Sequence, residues 1–416
     1  MFKNSSIFTK IMIPIIIIMI LQPLLIGSVL FGFGIINSLD ENAIESINNN
    51  AANRSSVLSD IMVSSWSNLD KFEYDVINTF DNFLAEERLL LTDVLGSRME
   101  VQLLELLSEP LINALRQTTA TGAFVYIVNN YSDTSVKFDG LFYRTEDPLT
   151  TSPDNSDLML LIGPAEVARQ NRISFDRFWQ SAFTFSPEHS DNWKTFHEPL
   201  TAAINNRFMP ASELAYWSST VTINPNNPME TRHSIIYTRP VIYEGTIIAM
   251  IGTEIQLSHI ERYLPESDFA YEQCGYMLLR YSLEDEQDYS HKTDHTIVLV
   301  TGTHIRQLIG SMSTIRFTAQ SKENTYRIDA DRLGHLQVVF QPIEVNSNPD
   351  TPFYNDKWVV AALGTDSSLF RMSRTAGIGI LVSSALALII GITLSWLTIR
   401  RTIKPLISVA EQIEEK

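Results

Sequence analysis

Apolar positions along this chain follow three different rules. Residues 11–36 and 375–399 are uncharged runs of 26 and 25 residues. As helices each is long enough to cross the roughly 30 Å hydrocarbon core once, and neither can cross it twice. From about Ser38 to Gly96 the apolar residues recur at three and four (Leu58, Met62, Trp66, Leu69, Phe72, Val76, Phe80, Phe83), which predicts one long amphipathic helix. Pro110 predicts a break before a short helix at 111–117. Beyond Gly122 the rule changes to β-branched and aromatic runs separated by turn residues: 124–128, 140–143, 216–223, 234–237 and 247–252. These predict strands. A helical insertion is expected at 163–169 and 175–183, with Gly163 and Pro164 as its start.

Basic residues set the orientation. Lys3 and Lys10 precede the first span, and Arg400, Arg401 and Lys404 follow the second, so both tails are expected in the cytoplasm and residues 37–373 outside it. Arg371 and Arg374 weaken that asymmetry without reversing it. The first apolar run exceeds the roughly 7–15 residues of a signal-peptide core, and no small-residue cleavage site follows it. It therefore reads as an uncleaved anchor. A stripe of Gly379, Ser383, Ala387, Gly391 and Ser395 in the second span suits close helix pairing in lipid.

One unit recurs. A strand carrying Pro240, a hairpin, a strand ending Gly252-Thr253-Glu254 and a helix are repeated as a strand carrying Pro342, a longer hairpin, a strand ending Gly364-Thr365-Asp366 and a helix. Two copies predict duplicated α/β modules rather than a solenoid. The expected architecture is α+β: a cytoplasmic tail 1–10, a transmembrane helix 11–36, a helical stalk 37–121, antiparallel-sheet modules at 122–265 and 266–373, a transmembrane helix 375–399 and a linker 400–416.

Composition narrows the chemistry. Of 31 Lys and Arg, seven lie outside residues 37–373, leaving 24; of 48 Asp and Glu, three lie outside, leaving 45, so this segment carries −21. Such a surface disfavours nucleic acid and attracts cationic or amine-bearing small molecules. Cys274 is the only cysteine, so the segment depends on its core rather than on an internal disulfide. His291 and His295 are four apart without the glutamate of a zinc-protease helix, and Asp285 and Asp288 nearby point to a polar hairpin. No phosphate loop or nucleophile elbow occurs. No catalytic residue, metal or cofactor is expected in these residues.

The patches Gly122-Ala-Phe-Val-Tyr-Ile-Val, Asn155-Ser-Asp, Gly163-Pro-Ala-Glu, Tyr216-Trp-Ser and Ile236-Tyr-Thr-Arg-Pro leading to Gly252-Thr-Glu254 resemble the double Cache (dCache) extracytoplasmic sensors of bacterial diguanylate cyclases and histidine kinases. The stretch Arg400-Arg-Thr-Ile-Lys-Pro405 resembles the opening of a HAMP linker, with an apolar seam at Ile403, Leu406, Val409 and Ile413. The resemblance implies two PAS-like modules, the distal one (122–265) binding a small molecule and the proximal one (266–373) relaying it. It also implies a homodimer through the long helices, and an output domain beyond this chain. Candidate pocket residues are Tyr126, Arg144, Trp179, Tyr216, Trp217, Tyr237, Arg239 and Glu254, with Glu254 gripping an amine. The amino-acid-binding branch carries an Arg three residues before a Trp-Tyr pair and an Asp at the strand end. Here Asp176, Trp179-Gln180 and Glu254 stand instead, so an amino-acid ligand does not follow. The competing reading is a membrane-anchored interaction protein whose ectodomain binds a partner protein.

Overall fold

The computed structural model describes residues 13, 15–22, 34–95, 99–129, 131, 134–283, 294–319, 325–330, 334–345, 348–398 and 401. Most of the first span, nearly all of the 400–416 linker, and His291 with its aspartates lie outside these residues. The chain divides into two compact units, Met1–Ile47 with Thr365–Lys416, and Asn48–Gly364.

Among the described residues, three longer helices precede the sheets, α1 (Ile35–Trp66), α2 (Leu69–Glu87) and α3 (Met99–Arg116), with a single helical turn at Leu91–Val94 between the last two. The single helix predicted to Gly96 is thus interrupted after Trp66. The hydroxyls of Ser64, Ser65 and Ser67 donate to the carbonyls of Ile61, Met62 and Ser64 at 3.0, 2.7 and 3.2 Å. Serines that bond to the preceding turn compete with the helical ladder. Pro110, conversely, does not break α3. Its missing N–H would have served Leu106, whose side chain is on the solvent face, while Leu103, Leu104, Leu107 and Leu111 bury the other face. Packing of that face outweighs the local cost of the proline.

Residues 122–256 form the first module. Its strands are β1 (Gly122–Ile127), β2 (Val136–Phe138), β3 (Gly140–Thr145), β4 (Leu158–Ile162), β5 (Ser174–Gln180), β6 (Phe183–Phe185), β7 (Tyr216–Trp217), β8 (Ser234–Tyr243) and β9 (Thr246–Gln256). Helix α4 (Ser190–Asn205) lies between β6 and β7. Residues 175–183, expected to be helical, are strand: burial along β5 alternates, the period of two that a half-buried strand requires. The sheet order is β5-β4-β3-β1-β9-β8-β7, and β2 pairs with β6 as a separate ribbon. Pairing is antiparallel except between β4 and β5.

The second module contains β10 (Cys274–Ser282), β11 (His295–Val300), β12 (Thr314–Ile315), β13 (Thr318–Ala319), β14 (Thr325–Ala330), β15 (Gly334–Ile343) and β16 (Asp356–Thr365), in the order β12-β11-β10-β16-β15-β14-β13. Each module sets its first strand beside its last, Gly122 opposite Glu254 and Cys274 opposite Gly364. The repeated unit is therefore β8–β9 with helix Leu257–Glu261, and β15–β16 with helix Asp366–Leu369. His295, expected in a polar hairpin, instead opens β11 and packs against Phe317 and Phe340 at ring distances of 5.0 and 5.7 Å.

The modules meet through a column of rings. Trp66 of α1 stacks on Tyr237 of β8 (5.8 Å), Tyr237 meets Trp217 edge-on (5.1 Å), and Trp217 meets Trp358 of β16 (6.5 Å). Elsewhere along α1, Arg54 pairs with Asp268 at 2.6 Å, and the Tyr276 hydroxyl donates to the same carboxylate.

In the other unit, α5 (Arg371–Thr398) includes Arg371–Leu397, a 27-residue segment long and apolar enough to cross a membrane. A Cβ on Gly391 would overlap the side chain of Met19, and the Ser395 hydroxyl donates to the Met19 sulfur at 3.4 Å. Part of the small-residue stripe thus receives a side chain of the first apolar run.

Trp358 is among the largest fully buried side chains. Trp358→Ala should lower the stability of the chain by about 3–5 kcal/mol, read from urea unfolding followed by circular dichroism.

Candidate functional site

The distal sheet has two unlike faces because side chains alternate along each strand. One face meets the helices. Tyr143 shares a 2.6 Å hydrogen bond with Ser108 of α3, and Arg239 is fully buried between Asp70 (2.6 Å) and Glu73 (2.5 Å) of α2. Burial holds the Glu73 carboxyl above its usual range; Arg239 opposes this shift and Asp70 adds to it. Tyr237 lies on the same face, and burial pushes its phenol up to about 12.

The opposite face presents Phe124, Tyr126, Phe142, Ile162, Ile236 and Met250 to the β2–β6 ribbon and to α4. Tyr126 is the hub of this layer, with ring distances of 4.8, 5.6 and 5.4 Å to Phe183, Phe138 and Phe185. Between sheet, ribbon and α4 remains a cavity of about 20 Å³, bordered by Tyr126, Gln180, Phe183, Asn192, Thr195 and Ile236 among others. That is room for about one water. The Tyr126 hydroxyl and the Gln180 amide nitrogen are buried at its edge without a hydrogen-bond partner among the described residues. Burial alone raises the Tyr126 phenol well above its ordinary value, so it stays protonated and able to donate.

At one end of this face sits a fully buried ion pair. Arg144 Nε donates to Glu254 Oε2 at 2.9 Å and Nη2 to Oε1 at 2.6 Å, while Ser234 also donates to Oε1. Gly122 lies between the two residues in the register. A Cβ there would stand 2.7 Å from both Glu254 and the Phe142 ring, so the pair can span β3, β1 and β9 only over a residue without a side chain. Arg144 Nη1 is left buried and unpartnered. Close by, Arg232 makes bidentate contacts with Asp176 on β5 (2.7 and 2.9 Å) and bonds Glu230 at 2.6 Å. Burial raises both carboxyls, but hydrogen bonds from Arg232, a backbone bond from Phe178 to Asp176, and the charges of Arg232 and Arg144 together outweigh it and hold both below their usual range.

Of the eight residues singled out in the sequence, Tyr126, Arg144 and Glu254 share the ribbon-facing side of the sheet. Tyr237 and Arg239 face the helices, and Trp217 meets Tyr237 and Trp358. Tyr216 points its hydroxyl at Arg280 of the proximal module (3.2 Å). Trp179 is 39% exposed on the edge strand β5, its indole donating to the Gly163 carbonyl. Gln180, Phe183, Asn192 and Thr195 were not singled out. The alternation Phe183-Thr184-Phe185 was their available signal, masked by a helical reading of that stretch.

No family model matches the chain, and no curated protein does. Among solved structures it is similar to the ligand-binding domain of the Pseudomonas fluorescens chemoreceptor CtaA in complex with L-isoleucine (10% identity, 81% of this chain and 98% of that one, TM-score 0.38). It is also similar to the ligand-binding domain of Mlp24 with asparagine (11%, 81% and 99%, 0.38). A third similarity is to the periplasmic sensory domain of the Campylobacter jejuni chemoreceptor Tlp1 (8%, 78% and 98%, 0.34). By their descriptions these are ligand-binding or sensory domains. Identity and superposition this low fix no ligand contact.

Glu254→Gln should cost about 3–5 kcal/mol in urea unfolding by leaving Arg144 charged and unpaired. The double change Arg144→Met with Glu254→Leu should cost clearly less. Asp176 and Glu230 have depressed folded-state values, so their contribution is fully present above the ordinary carboxylate values of 3.8 and 4.5 and is lost as pH falls through the lower folded ones. Arg232→Met should flatten that acid limb in a stability profile between about pH 5 and 2.

Proposed function

We propose that this chain is the ligand-sensing and membrane-spanning part of a bacterial receptor, and that a small molecule binds the ribbon-facing side of the distal sheet. The observation that carries this reading is that buried polar groups there are left unpartnered among the described residues, including the Tyr126 hydroxyl, the Gln180 amide and Arg144 Nη1. Unsatisfied buried donors cost free energy, and a ligand offering acceptors would satisfy them. All three can donate, whereas both Glu254 oxygens are committed to Arg144 and Ser234. The ligand class is therefore a small molecule with an apolar body and an acceptor oxygen, such as a carboxylate or amide; gripping an amine through Glu254 would require the ion pair to open. A cavity of about 20 Å³ cannot hold such a molecule, so binding displaces the β2–β6 ribbon and α4.

In this reading residues 37–373 are extracytoplasmic, both termini are cytoplasmic, and two chains pair through their long helices. Movement of the distal module passes along the Trp66–Tyr237–Trp217–Trp358 column to the proximal module, and from there through the second span to a cytoplasmic diguanylate cyclase or histidine kinase output. The switch operates only to the extent that ligand binds one packing better than the other.

The interaction-protein reading has its own support in Phe175 and Trp179, which are 42% and 39% exposed side by side on an edge strand. Such edges are templates for a partner's backbone.

Thermal unfolding of the full chain in detergent micelles, scanned against small carboxylates, amides, amines and nucleobases, separates the two. A ligand at about 100 times its dissociation constant adds about 2.7 kcal/mol of stability, and Tyr126→Phe or Asn192→Ala should abolish the shift. If no compound raises the midpoint, while Phe175→Ser with Trp179→Ser abolishes capture of a partner protein, the sensor reading is lost.

A further inference from the structure

A second, larger cavity of about 590 Å³ lies where the two modules meet, walled on one side by α4 and Tyr216 and on the other by β10 and the start of β16. Its size falls within the roughly 300–1,000 Å³ of small-molecule sites. It shares no lining residue with the ribbon-side cavity.

We propose that this inter-module cavity is a separate binding site for a small neutral polyhydroxylated molecule, a sugar or polyol. Arg280 is committed to Asp356 at 2.6 Å and to the Tyr216 hydroxyl at 3.2 Å, with its guanidinium carbon 5.1 Å from the centre of the Tyr216 ring. Its charge is thereby compensated, yet guanidinium and carboxylate keep further donor and acceptor capacity. Across the cavity Lys194 and Glu198 stand four residues apart on α4, one face of a helix. An anion entering here meets Glu198 and Asp356, and a cation meets Lys194 and Arg280. A hydroxyl both donates and accepts, so a run of hydroxyls can satisfy such an alternating wall without burying net charge. Phe353, edge to face with Tyr216 at 5.1 Å and half-buried, adds a ring surface for the apolar face of a pyranose or cyclitol. Because α4 belongs to the distal module and Asp356 to the proximal one, an occupant joins the two modules and favours the packing in which both walls are in reach.

The test is isothermal titration calorimetry on the full chain in detergent micelles with glucose, galactose, N-acetylglucosamine and myo-inositol. We expect at least one to bind. Glu198→Gln and Lys194→Met, which remove single polar functions at the cavity wall, should each weaken it by about tenfold with unchanged unfolding midpoints, and Tyr216→Phe, which also removes an acceptor of Arg280, should weaken it similarly, while Tyr126→Phe leaves it intact. The proposal is overturned if none of the four binds, or if binding survives all three wall substitutions. It is equally overturned if binding is lost in Tyr126→Phe alone, which would move the sugar to the distal sheet and leave the sensor reading standing. Failure of the carboxylate and amide screen, in contrast, bears on the ribbon-side cavity only.

Discussion

The buried pair of Arg144 and Glu254 is the constraint around which the distal module is arranged. It fastens β3 to β9 across β1, at the place where the module's first and last strands lie side by side. A charge pair this deep costs much in desolvation and is retained only when its geometry and surrounding hydrogen bonds are good. Gly122 provides the passage and Ser234 a third bond. Once both carboxylate oxygens are occupied, recognition chemistry on that face passes to the groups left over, and these donate. The ligand class proposed for the site follows from how the pair is satisfied, more than from the presence of an acid at the strand end.

The same sheet separates two tasks. On its helix-facing side Arg239 is held by two carboxylates of α2, Tyr143 by α3, and Tyr237 by Trp66. Its ribbon-facing side is aromatic and nearly full, with unpartnered donors at Tyr126, Gln180 and Arg144 among the described residues and very little space. Packing of this density is bistable rather than continuously deformable. On the proposed reading, a molecule that opens the ribbon side acts on a sheet whose other face carries the ring column toward the proximal module.

Much of this was visible in the chain itself. Uncharged runs, the change of period after Gly122, and the repeated Pro-hairpin-Gly-Thr-acid unit are local features. Local features report secondary structure and duplication because the period of side-chain burial is set by backbone geometry. The two misread segments have local reasons as well. Pro110 was overruled by the buried face of α3, and residues 175–183 carry enough aromatic residues to suit either period until a neighbouring strand selects one.

Which residues meet in space was decided by the tertiary structure. Along β8, Ile236, Tyr237 and Arg239 are near neighbours in sequence, yet Ile236 faces the ribbon while Tyr237 and Arg239 face the helices. A shift of one residue in register would exchange them. Glu254, expected to grip an amine, is taken up once β1 and β3 bring Arg144 beside it, and Arg232 meets Asp176 across 56 positions of chain. The sequence determined that this protein has two apolar spans, a helical stalk and two related sheet modules, because those follow from composition and period. Only the fold decided which polar groups are spent on one another and which are left to bind, because that depends on contacts between residues far apart in the chain.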